Sequence, residues 1–110
     1  MNFYIGDSID EIDEQDVSVE FSDELIDFIY KMSGRVSFDM SKLYKIDPYD
    51  DVEVCKNDLP QIVEICKSIL DSALLQDYEK PAEGRHMLQG LLEIIEKATT
   101  RELGLVSIGD

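Results

Sequence analysis

From Asp58 to Gln76 the apolar residues Leu59, Ile62, Val63, Cys66, Ile69, Leu70, Ala73 and Leu74 recur at intervals of three and four, the spacing of one stripe on a helix. Such a stripe has to be covered by the rest of the chain. Asp58 is a good N-cap for it, and Pro60 falls in the first turn, where a missing N–H leaves no bond unmade. A second period runs from about Ala82 to Glu102 through Met87, Leu88, Leu91, Leu92, Ile95 and Ala98, with Gly104 to end it. The polar DYEKPAEG between the two reads as a loop, short enough to let the helices lie as an antiparallel pair. A third helix is predicted from Asp23 to Met32, capped by Ser22 and closed by Ser33 and Gly34. Its apolar face is Leu25, Ile26, Phe28, Ile29 and Met32, and Asp23 and Glu24 favour the dipole of its first turn.

Elsewhere the patterning is weaker. Phe3, Tyr4 and Ile5 suit a short strand over Asn2 to Gly6, and Val17, Val19 and Phe21 alternate with polar neighbours from Asp16 to Phe21, as a strand or extended segment would. Phe38, Met40, Leu43 and Ile46 fit a short helix and an irregular packed segment equally well, and Asp47-Pro48 stops that stretch. PYDDVEVCKN reads as an exposed connection, and Leu105, Val106 and Ile108 as an apolar tail that packs. The pattern as a whole predicts a mainly α fold. It is one domain over residues 1–110, an antiparallel helix pair with one or two further helices and short β-strands at the N-terminus and C-terminal tail.

Composition adds charge to this picture. The chain of 110 residues is 44% hydrophobic, as a globular protein is, yet carries 25 acidic against 10 basic side chains, a net of −15. Such a field repels nucleic acid and anionic membranes and speeds encounter with a basic partner; solubility alone is an equal account of it until the charge is located. It is uneven. Residues 1–53 hold 15 acids and 4 bases, net −11, and residues 54–110 hold 10 acids and 6 bases, net −4. Between Asp7 and Glu24 there is no lysine or arginine, so neutralisation has to come from across the fold or from a partner.

Candidate chemistry is mostly removed by what the chain lacks. Cys55 and Cys66 make no disulfide framework, no signal peptide or membrane span is discernible, and a reduced, cytoplasmic protein is expected. Cys66, on the helix stripe, reads as a small core residue. His86 is the only histidine and has no evident partner for a metal site or a nucleophile triad. Neither Asp7 to Ser18 nor Asp47 to Asp58 has the ligand spacing and central glycine of a calcium loop, and no phosphate-binding or nucleophile-elbow motif is present. A chain this short without tryptophan is a poor candidate for a carboxylate-pair hydrolase, which needs a sizeable cleft. The reading is therefore of a protein that is not an enzyme and needs no metal or cofactor.

What remains is a binding surface. Tyr44 and Tyr49 stand in sequence beside Asp47, Asp50, Asp51 and Glu53, and with Asp10, Glu11, Asp13, Glu14 and Asp16 they are the candidate partner-binding residues. The competing reading makes Tyr44 a core residue and Tyr49 a cover for its loop. In plan, with FYIG near the start, amphipathic helices at DLPQIVEICKSIL and GLLEIIEKA, and a close in LGLVSIGD, the chain resembles bacterial toxin immunity proteins of contact-dependent growth inhibition systems. The resemblance implies a protein that binds one cognate toxin domain, commonly a basic nuclease, and blocks its active site or substrate surface, without touching nucleic acid or membrane itself. Two alternatives stay open: a nucleic-acid mimic that inhibits a DNA-binding protein, and a structural or regulatory interaction module.

Overall fold

The computed structural model describes residues 1–109 and overturns the mainly α expectation. Helices pack against a four-stranded antiparallel sheet, so the fold is α+β. The strands are β1 (Asn2–Ile5), β2 (Ser18–Glu20), β3 (Val52–Val54) and β4 (Leu105–Ile108), in the order β2-β1-β4-β3. The centre of the sheet joins the two ends of the chain, with Asn2 opposite Ile108 and Ile5 opposite Leu105. The apolar tail is thus a central strand. β3 lies within the stretch expected to be an exposed connection, and pairs Val52 with Ser107 and Val54 with Leu105.

The helices are α1 (Asp23–Met32), α2 (Ser41–Tyr44), α3 (Leu59–Asp71) and α4 (Pro81–Thr100). In α1 the Ser22 Oγ accepts the Leu25 N–H at 3.2 Å, the capping bond expected of it. The ambiguous Ser37 to Ile46 stretch contains the short α2, which buries Leu43, with Met40 and Ile46 buried on either side of it. α3 packs on α4, and α4 lies across β1 and β2. Gly90 allows that crossing: a Cβ there would stand 3.2 Å from Val19 Cγ1.

The long stripe is realised with a shift. Leu59, Ile62, Ile65, Cys66 and Ile69 are buried in α3, while Val63 and Leu70 are only half-buried and Ala73 is exposed beyond its end. The helix stops at Asp71 because Ser72 turns extended and its hydroxyl donates to the Ile69 carbonyl at 2.9 Å and accepts from the Leu74 N–H at 3.2 Å. Leu74 and Leu75 are buried instead from a tight 3-10 turn. Asp58 does not cap α3; its carboxylate takes the Lys42 ammonium at 3.1 Å. Burial pushes the Cys66 thiol up to about 12, as a core side chain requires.

α4 ends by a different device from the glycine expected. Glu102 adopts the left-handed conformation at φ 58°, its N–H donates to the Thr99 carbonyl at 3.0 Å, and the Leu103 N–H reaches the Ala98 carbonyl at 2.9 Å. A left-handed non-glycine residue costs about 1–2 kcal/mol, part of which glycine recovers. Glu102→Gly is accordingly expected to raise stability by about 1 kcal/mol in urea unfolding.

Candidate functional site

The acidic segment after β1 is a strap across the sheet face opposite the helices. The register places Val106 between Tyr4 on β1 and Glu53 on β3. Val106 is fully buried yet stands outside the main core cluster, so something covers it from the other side. The chain leaves β1 at Gly6 and its Ile9 N–H donates to Glu53 Oε2 at 3.0 Å, which carries it over β4 to β3. It is pinned near its start, where Asp7 Oδ1 accepts the Gly104 N–H at 2.8 Å, and near its finish, where Asp16 pairs with Arg101 just past α4.

The Arg101 hydrogen bond holds the Asp16 carboxyl below its ordinary value of 3.8, helped by the Val17 N–H. A carboxyl lowered on folding stabilises the fold above its unfolded pKa and loses that contribution as pH falls through the folded one. The strap's pin therefore holds at neutral pH and loosens only in acid below 3.8. Asp16→Asn at neutral pH is expected to speed hydrogen exchange at the Ile9 amide while leaving the α3 amides unchanged; an unaltered Ile9 rate would show that the pin does not hold the strap.

Several of the candidate carboxylates are thus engaged with the protein's own backbone. Asp13 accepts the Gln15 N–H at 2.9 Å, Asp47 the Tyr49 N–H at 2.9 Å, Asp50 the Asp51 N–H at 2.8 Å and Asp51 the Gly109 N–H at 3.1 Å. Asp10, Glu11 and Glu14 stand exposed on the strap, beside an exposed Ile9. Glu53 joins this group on the sheet face, away from the tyrosines.

Tyr44 and Tyr49 belong to a different place. They line an open groove of about 370 Å³ against α1, together with Asp23, Glu24, Asp27, Tyr30, Ile26 and Pro48. Tyr30 meets Tyr44 edge to face, ring centres 5.3 Å apart and planes at 77°. The Tyr49 hydroxyl donates to Asp23 Oδ2 at 2.8 Å, and that bond is the main cause of the Asp23 carboxyl lying below its ordinary range. Asp27 also pairs with Lys31 at 2.8 Å along the helix, on side chains that are both largely in water. Tyr30 and Tyr49 are 59% and 67% exposed, well above other large apolar side chains among the described residues.

In sequence Tyr44 and Tyr49 stand beside Asp47, Asp50, Asp51 and Glu53; the fold keeps Asp47 against the Tyr49 N–H and sets both rings in a groove with Asp23, Glu24, Asp27 and Tyr30. The missed residues had a signal, since Asp23, Asp27 and Tyr30 follow the i, i+4, i+7 spacing of one face of α1, on the side away from Leu25 and Ile29. What could not be read was that the Asp47 to Tyr49 turn folds back onto that face.

His86 is exposed in the first turns of α4, in a shallow recess shared with Glu20, Glu24, Tyr78 and Glu83. Among the described residues no group of three or more histidine, cysteine, aspartate or glutamate side chains is placed to hold a metal ion, and no helix is long and apolar enough to cross a membrane. Comparison with protein-family models, curated proteins and solved structures returned no match.

Proposed function

We propose that this chain is an immunity-type inhibitor, which acts in the cytoplasm by binding a basic toxin domain and covering its active or substrate-binding surface. The observation that supports this most is the groove on α1, where two strongly exposed tyrosines stand over carboxylates. Exposed aromatic side chains are the usual anchors of protein interfaces, and a carboxylate rim favours a cationic partner. The net charge of −15 then draws that partner in over distances that salt cuts to about 8 Å at physiological ionic strength. A surface that holds phosphates is basic for the same reason, so a nuclease domain is the partner whose charge fits best.

The test is protection. The product of the reading frame beside this protein's gene, expressed alone in a bacterial host, should arrest growth, and co-expression of this chain should restore it. Association of the purified pair should slow by about tenfold or more from low to moderate salt, with dissociation changing less. A harmless neighbour, or arrest that the chain does not relieve, would sink the proposal.

A further inference from the structure

We infer that the groove on α1 is a receptor for an arginine side chain presented by a basic protein segment. This rests on the reading above only for the source of the arginine; the groove's chemistry stands by itself. A groove walled by Tyr30, Tyr44 and Tyr49 offers ring faces and edges to an apolar or flat group. Asp23, Glu24 and Asp27 on α1 impose negative charge that Lys31, paired with Asp27 at 2.8 Å, offsets only in part, and no lysine or arginine is itself among the lining residues. An apolar occupant would leave those carboxylates facing a desolvated surface, at a cost, and an anion would be repelled. A cation satisfies both kinds of wall.

Between the two cationic side chains the geometry selects arginine. Its guanidinium is planar, stacks on aromatic rings, and is more weakly hydrated than an ammonium, so it loses less on entering a tyrosine-lined space. Its fork of donors matches a carboxylate in two parallel bonds, which Glu24 can accept, while Asp27, whose water-exposed pair with Lys31 is weak, adds charge beside it. Asp23 is already held by the Tyr49 hydroxyl at 2.8 Å, and that bond keeps the Tyr49 ring over the groove before anything binds. The edge-to-face contact of Tyr30 with Tyr44 steadies those two rings in the same way. Pre-positioned walls reduce the ordering that binding would otherwise demand.

The probes are tri-arginine amide and tri-lysine amide, titrated into the full chain while the tyrosine ring signals are followed by NMR. Tri-arginine should shift the Tyr30, Tyr44 and Tyr49 rings, saturating at about tenfold lower concentration than tri-lysine, with the rings of Tyr4 and Tyr78 unmoved. Tyr30→Ala should abolish the preference for arginine. Asp27→Asn, which keeps the size of the side chain, should weaken tri-arginine by about threefold or more and serves as the second variant should Tyr30→Ala fail to fold. Equal binding of the two peptides, shifts spread evenly over all five tyrosines, or variants that bind tri-arginine like the parent would each overturn the inference. Arginine binding that persists where no growth protection is found would refute only the immunity reading. Protection unaffected by Tyr30→Ala, with no arginine preference, would refute only the groove.

Discussion

Ile69→Asp is expected to leave the chain largely unfolded in water. Ile69 is completely buried in the middle of the core that α3 shares with α4 and the sheet. An aspartate there removes the three apolar carbons beyond Cβ and puts a carboxylate into the apolar core, and the sum of the two is about 4–5 kcal/mol. Small domains have roughly 5–15 kcal/mol in all, and a chain this size sits toward the lower end. Circular dichroism on heating should show the cooperative transition lost or displaced by tens of degrees. Ile69→Val, which removes one methylene, should lower stability by only about 1 kcal/mol and keep the same transition. If Ile69→Asp melts like the parent, the stripe faces water and the packing described above is wrong.

The second large effect is expected at Gly104, where strap, sheet and helix end meet. Its N–H donates to Asp7, its carbonyl accepts the Gly6 N–H at 3.0 Å, and a Cβ on it would lie 2.3 Å from the Val54 carbonyl oxygen and 3.1 Å from the Lys56 nitrogen. The obstacle is backbone on β3, which cannot rotate aside as a side chain tip would. Gly104→Ala must therefore push β3 away from β4 or lift the strap, and about 2–3 kcal/mol of stability should be lost in urea unfolding. The contrasting substitution is Gly34→Ala, where nothing lies within 4 Å and no left-handed conformation is needed. That change should be neutral or stabilising by up to about 1 kcal/mol through the unfolded chain. Equal effects at the two glycines would show that backbone entropy, not the Val54 contact, governs Gly104.

The same residues explain how far the sequence could be read. Ser22 and the apolar period behind it place α1 because a cap and a 3.6-residue repeat are local properties. The helices α3 and α4 are legible for the same reason, to within a few residues at their ends. The errors at those ends are also local in origin: Ser72 and Glu102 stop their helices by hydrogen bonds and backbone conformation that give no periodic signature.

The sheet was not legible as a sheet. Each strand has four residues or fewer, too few for alternation to stand out, and β4 buries Leu105, Val106 and Ser107 in succession because helices cover one of its faces and the strap the other. Of its two partners, β1 lies about a hundred residues away and β3 about fifty, pairings that no local pattern encodes. The acidic surface followed the same division. That the N-terminal half carries the excess charge is a property of the sequence alone. Which carboxylates are spent on pinning the strap, at Asp7, Asp16 and Glu53, and which stand with tyrosines on α1, depends on contacts between segments far apart in sequence. Helix periodicity and net charge are written residue by residue, so the chain by itself determined the three long helices and the acidity. Strand pairing, the strap and the groove arise only where distant segments meet, so the tertiary structure alone decided them.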